Sequence, residues 1–232
     1  TLSTKVADVL VPTHAHAREH LGRQEQFRLY ADAVSVTWLL SVPLAIALGA
    51  FASPLLDLWL RTPSAGSATI LTVLALVLLL QMPGYNALVM LQGGERLGRL
   101  TKVISVGAAV NVAASIALTL SIGSLGPALG SLIGVVLVDC VYLPLVVCQE
   151  LGRPRRLYWS EILRPSLAPT FLTLAVAAAW LSLDPSGVLV LLAAASLVVP
   201  YWGGWWRWCA TERQKAYLRT ALRTARAKRA TR

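Results

Sequence analysis

Six stretches of this chain run for about a membrane's thickness without a single lysine or arginine. They are residues 33–56, 68–91, 103–122, 125–147, 166–183 and 187–202. A helix rises about 1.5 Å per residue and bilayer hydrocarbon is about 30 Å thick, so about 20 apolar residues make a crossing. The last two stretches lie near the short limit. All six are continuously apolar rather than alternating, which excludes the strands of a membrane barrel. In lipid, only helices and closed barrels satisfy their own backbone hydrogen bonds. The expected fold is therefore an all-α integral membrane protein with six transmembrane helices. Composition agrees. Charged residues are 14% of the chain, against about 25% in a soluble domain, too few to cover a hydrophobic content of 56%.

The breaks between the stretches alternate in character. Residues 61–67, 123–124 and 184–186 are short and nearly uncharged, whereas the other breaks are basic. Lys and Arg gather in cytoplasmic segments. If the N-terminal segment is inside, all of the 21 basic residues except Arg61 fall on the cytoplasmic side. A missed or misplaced crossing would scramble that division, so it supports the count of six as well as the orientation. The implied layout is a cytoplasmic segment over 1–30, holding the end of a preceding helix, then four helices over 31–147. A basic cytoplasmic loop over 148–165, two helices over 166–202 and a basic cytoplasmic tail over 203–232 follow. Both ends are placed inside, in a plasma membrane. The indoles of Trp59 and Trp180 fall near outer ends, and those of Trp38, Trp159, Trp202, Trp205, Trp206 and Trp208 near inner ends, where the headgroup zone favours them.

Four features inside the spans draw attention. In 125–147, Gly126, Gly130 and Gly134 recur every four residues, making a groove that a neighbouring backbone can approach closely. It serves either static packing or sliding during a conformational cycle. In 103–122, Gly107, Asn111, Ser115 and Thr119 form one polar stripe at the same spacing, either for interhelical hydrogen bonds or as a cavity wall. Asp139 is the one acid well inside a span, and a carboxylate there must be paired, protonated or wet. It is read as a proton or cation site, as a lining residue for a polar substrate, or as a vestibule carboxylate. Its offset from Gly134 turns it away from the glycine groove. In 68–91, Gln81, Pro83, Gly84 and Asn86 interrupt the helix. Proline deletes a backbone donor and kinks the helix, and Gln81 and Asn86 can take up the freed groups. Such breaks mark hinges and binding regions in transporters, or are simple static kinks.

Other features carry less. His14, His16 and His20 have only Glu19 beside them, so no metal site is read. The three cysteines, Cys140, Cys148 and Cys209, have no metal spacing and are read as reduced bystanders. Gly93 and Gly94 lack the Gly-Lys-Ser/Thr ending of a phosphate loop and form a turn. In the tail, Tyr217, Leu218, Ala221, Leu222 and Ala225 make an apolar strip among basic residues, which suits a helix lying on an anionic leaflet. The net charge of +10 follows from cytoplasmic segments and gives no reason to invoke nucleic acid. No nucleophile and base, paired carboxylates or cofactor motif stand out, and neither an enzyme nor a cofactor is expected.

Several segments resemble one transporter family in order and spacing. Val11 and Pro12 ahead of a polar basic loop look like the exit of the eighth helix of polysaccharide flippases, in the superfamily shared with multidrug and toxin extrusion transporters. Residues 44–60, ending Ser-Pro-Leu-Leu-Asp-Leu-Trp, are similar to the ninth. Leu91 to Arg96 (Leu-Gln-Gly-Gly-Glu-Arg) resembles the turn after the tenth, and Asn111 matches the asparagine usual in the eleventh. The run from Gly123 to Gly130 resembles the glycine-rich entry to the twelfth, although Pro127 stands where a small residue is usual. The resemblance implies a fragment of a two-lobe bundle of about fourteen helices, lacking its N-terminal lobe. It implies movement of lipid-linked oligosaccharide or polysaccharide precursors between leaflets by alternating access. Membrane lipids, that lipid-linked glycan and the other lobe are the implied partners. A drug or metabolite exporter of the same superfamily, or a complete six-helix scaffold, are the rival readings.

The orientation makes a direct prediction. In a cysteine-free background in whole cells, Ser64→Cys should react with a membrane-impermeant maleimide, and Ser160→Cys should react only after permeabilisation. The reverse pattern would invert the topology.

Overall fold

A computed structural model describes residues 22–60, 66–92, 97–212 and 214–215. Among the described residues the chain is helical, with no strand. The helices are α1 (Arg23–Ala50), α2 (Ala52–Leu60), α3 (Ser67–Gln92), α4 (Leu97–Ile122), α5 (Gly126–Val135), α6 (Leu143–Glu150), α7 (Arg155–Leu157), α8 (Arg164–Leu181), α9 (Val188–Ser196) and α10 (Val198–Gly204). Widened π turns over Val136–Tyr142 and Tyr158–Leu163 join α5 to α6 and α7 to α8, and a third, Trp205–Cys209, extends α10. The histidine-bearing segment, the Gly93–Gly94 turn and the amphipathic strip of the tail lie outside the described residues.

Five continuous helical segments are long and apolar enough to cross a membrane. The third, Leu100–Glu150, has 51 residues, roughly 77 Å if straight, well over twice a bilayer core. It folds back at a 3₁₀ turn, Gly123–Leu125. Gly123 has φ +72°, a left-handed conformation that glycine adopts without cost. Beyond it α5 runs antiparallel along α4, so five continuous segments make six apolar helical passes. The far end of this hairpin is closed by a Schellman motif. Gly152 (φ +62°) follows α6, Arg153 N–H donates to Cys148 O at 2.8 Å and Gly152 N–H to Gln149 O at 3.1 Å.

The helix expected over 33–56 begins ten residues earlier, at Arg23, and breaks at Phe51. Apolar content marks only the part of a helix immersed in lipid. Here Phe27 and Tyr30 are fully buried in the bundle, so packing carries the helix on through polar sequence. Tyr158 and Ile162 extend α8 backward in the same way, and Trp205 extends α10 forward.

α1 is the axis of the bundle and packs against α3, α8, α9 and α10. Its last contacts are held by indoles. Pro43 inside α1 has no N–H, so the carbonyl of Leu39 loses its helical donor. Trp202 Nε1–H donates to that carbonyl at 2.9 Å. One turn away, Trp205 Nε1–H donates to Ser35 Oγ at 2.7 Å, and Gln214 Nε2 donates to Asp32 Oδ1 at 2.9 Å. Pro169 leaves the carbonyl of Pro165 without a donor in the same way, and Cys209 Sγ–H lies 3.0 Å from it. Two tryptophans expected at the headgroup level are therefore core residues. Trp38 is 7% exposed and Trp205 2% exposed. Trp59, Trp159 and Trp208 remain exposed.

An interhelical hydrogen bond in lipid contributes about 0.6 to 1.7 kcal/mol. Ser35→Ala and Trp205→Phe should each lower unfolding free energy in mixed micelles by about 1 kcal/mol. The double variant should lose less than the sum of the two. Full additivity would show that the pair does not couple.

Candidate functional site

Pro83 lies inside the continuous helix α3, where the expected interruption is confined to the N–H that it cannot donate to Leu79 O. Side chains from three elements bond to neighbouring carbonyls of the same stretch. Tyr30 OH of α1 donates to Pro83 O at 3.1 Å. Asn86 Nδ2 donates back to Met82 O at 2.8 Å and across to Thr37 Oγ1 of α1 at 3.0 Å. Thr37 Oγ1 in turn donates to Val34 O at 2.9 Å. Cys140 Sγ–H lies 3.2 Å from Leu80 O. Asn86 and Thr37 are fully enclosed, where an unpaired polar group would cost several kcal/mol in hydrocarbon. Gln81 is half-buried at the same break and adds no hydrogen bond among the described residues.

Cys140 comes from the π turn Val136–Tyr142, in which Leu143 N–H reaches back five residues to Val138 O. A reason for the widening lies just beyond it. Pro144 would clash with the carbonyl four residues before it in a regular helix, and one extra residue per turn relieves that clash. The π turn Tyr158–Leu163 stands in the same relation to Pro165. π turns are rare and concentrate at functional sites.

Asp139 sits in the middle of this turn, half-buried, roughly 16 Å along the helix from Glu150. It rests against Gly84. A Cβ added at Gly84 would overlap the Cα, Cβ and Oδ1 atoms of Asp139. Only a residue without a side chain lets the carboxylate-bearing turn lie on the α3 break. Pro83, Gly84, Asn86, Cys140 and Asp139 thus form one intramembrane cluster, joined to α1 through Tyr30 and Thr37. Among the described residues no hydrogen-bond or ion-pair partner takes the Asp139 carboxylate, and no three potential metal ligands gather anywhere.

The remaining singled-out residues lie elsewhere, in the seam of the α4–α5 hairpin. Gly126 packs on Thr119, Gly130 on Ser115, Gly134 on Asn111, and Val138 on Gly107. Each four-residue step down α5 meets a four-residue step up α4, so the polar stripe and the glycine stripe face each other along their whole length. The hydroxyls are satisfied within α4: Ser115 Oγ donates to Asn111 Oδ1 at 3.1 Å and Thr119 Oγ1 to Ser115 O at 2.6 Å. Neither Asn111 nor Ser115 reaches the Asp139 cluster.

Cys140, Tyr30 and Thr37 were not legible as members of this cluster. Pro83 signals that carbonyls nearby need donors, but not which helices supply them. No protein-family model matches this chain, and no curated protein or solved structure matches it either.

The glycines predict a ranking. Gly84→Ala and Gly130→Ala force a methyl into backbone and should each destabilise by about 1–3 kcal/mol or more. Gly134→Ala, whose added Cβ meets Asn111 Cβ at 3.1 Å, should cost less. Gly98→Ala meets nothing within 4 Å and should be neutral or stabilising by about 0.5–1 kcal/mol. Unfolding in mixed micelles reads the order, and equal effects at Gly84 and Gly98 would contradict the close approach.

Proposed function

We propose that this chain forms part of a membrane transporter that carries lipid-linked oligosaccharide or polysaccharide precursors from the inner to the outer leaflet by alternating access. The observation that carries the transport reading is the carboxylate of Asp139, seated in a π turn against the Pro83–Gly84 break. Pro83 leaves Leu79 O without its helical donor, so the part of α3 before it can bend while Tyr30 and Asn86 hold the part after it on α1. The glycine seam gives the α4–α5 hairpin a smooth surface along which one helix can shift on the other. The choice of a lipid-linked glycan rests on the resemblance of residues 44–60, 91–96 and 123–130 to polysaccharide flippases.

In this reading Asp139 couples the cycle to protons. A charged carboxylate at this depth requires water or a cation, whereas the neutral acid can pack against α3. Proton binding therefore favours the closed contact on Gly84, and proton release favours a hydrated, opened one. The titratable groups around it are Cys140 and Tyr142 on its own turn, Lys102 on the facing helix and Tyr30, which bonds to Pro83 O beside Gly84, and no Lys or Arg lies within any of the six apolar stretches.

The experiment follows initial flipping rates of a fluorescent lipid-linked oligosaccharide by the full-length protein in proteoliposomes, across a pH series. Wild type should show a pH-dependent rate, and Asp139→Asn, which keeps the shape and removes the charge, should show a flat one. Parallel profiles would remove Asp139 from coupling. Wild-type flipping no faster than protein-free liposomes would overturn the substrate.

A further inference from the structure

We infer that the groove between α4 and the π turn Val136–Tyr142 is a seat for an anionic phospholipid, with one acyl chain along the hairpin and the phosphate held by Lys102. The groove has a volume of about 310 Å³, at the lower end of cavities that hold small molecules. α4 contributes Lys102, Val106 and Val110, and the turn contributes Leu137, Val138 and Tyr142. Gly107 and Gly134 also line it, at the points where the two helices meet through Val138 and Asn111. Val106 is 63% exposed and Leu137 52% exposed, so the groove opens away from α1 and the bundle core.

The charge pattern selects the occupant. Among the described residues Lys102 is the only charged one lining the groove. It stands at the basic end of the hairpin, which the distribution of Lys and Arg places at the inner leaflet, where anionic lipids attract such side chains. A lysine stem can lie along apolar surface while its ammonium reaches the headgroup level. Among the described residues no carboxylate lines the groove to pair the ammonium of a zwitterionic headgroup, so the ionic contact they offer is to phosphate. The wall below Lys102 is aliphatic and suits an acyl chain.

The seat has a structural consequence that does not depend on the substrate proposed above. The π turn presents Leu137 and Val138 to the groove and Asp139 and Cys140 to α3. A bound lipid therefore braces the outer side of the turn whose inner side holds the carboxylate.

The test uses the full-length protein in liposomes with phosphatidylglycerol or phosphatidylcholine carrying a photoreactive diazirine in one acyl chain. Adducts are mapped by peptide mass spectrometry. Phosphatidylglycerol should label residues 103–110 and 137–142 more than phosphatidylcholine does. Lys102→Ala should reduce that labelling about fivefold, and Lys102→Arg, which keeps the charge, should retain it. Val106→Trp, which fills the groove, should abolish it while labelling elsewhere on the protein persists. Equal labelling by the two lipids, or labelling indifferent to both Lys102→Ala and Val106→Trp, would overturn the proposal.

Discussion

A backbone carbonyl that has lost its N–H partner cannot be left facing hydrocarbon, and the arrangement of this bundle follows from where prolines create such carbonyls. Pro43 frees Leu39 O, which takes the indole of Trp202; Pro169 frees Pro165 O, which takes Cys209. Around Pro83 the side chains of Tyr30, Asn86 and Cys140 bond to Pro83 O, Met82 O and Leu80 O of the continuous helix α3. The first two are replacement donors and the other three add to the helical bonds already there; all five are side chains, and four of them come from a different helix. The disruption of one helix is thereby converted into attachment to another. Without a strong hydrophobic drive to bring helices together in lipid, such directed bonds and close packing decide which faces meet.

The two kinds of contact divide the molecule. α1 is joined to α3 and to the C-terminal segment by hydrogen bonds at Tyr30, Asp32, Ser35, Thr37 and Leu39. Each has one geometry, so these elements are fixed in register. The α4–α5 hairpin is held by the fit of glycines against Asn111, Ser115 and Thr119, and the two hydroxyls bond within α4. Such a seam has no directed bond between its helices to break. The rigid and the adjustable halves meet where Asp139 lies on Gly84.

Much of this was legible in the sequence. The separation of basic from apolar segments located all six passes, and the four-residue spacing of Gly126, Gly130 and Gly134 marked a packing face. Gly107, Asn111, Ser115 and Thr119 were legible as a stripe of the same period, but not as the partner of that face, which only the packing reveals. The rest depended on information that helical periodicity does not hold. Arg23 begins α1 because Phe27 and Tyr30 find a tertiary core, which local hydrophobicity cannot reveal. Trp205 looked like a headgroup anchor, but Ser35, far away in sequence, binds it in the core. A helical wheel assumes a constant turn, and the residue added by the π turn shifts everything beyond it. Pro144 and Pro165, each two residues past a widened turn, were the available signals.

The π turn also explains how an acid can occupy this depth. In a regular helix Pro144 would press on the carbonyl of Cys140, on the side chain next to the carboxylate. Widening the turn relieves that pressure and exposes backbone that a neighbour must satisfy or shield. α3 shields it, since Gly84 admits the turn without a side chain between them, and Leu80 O accepts the Cys140 thiol beside it. The glycine is therefore required by the widened turn, and the widened turn is favoured by the proline that follows it. A change at any of these positions disturbs the contact between α3 and the hairpin, and with it the environment of the only carboxylate set well inside the membrane.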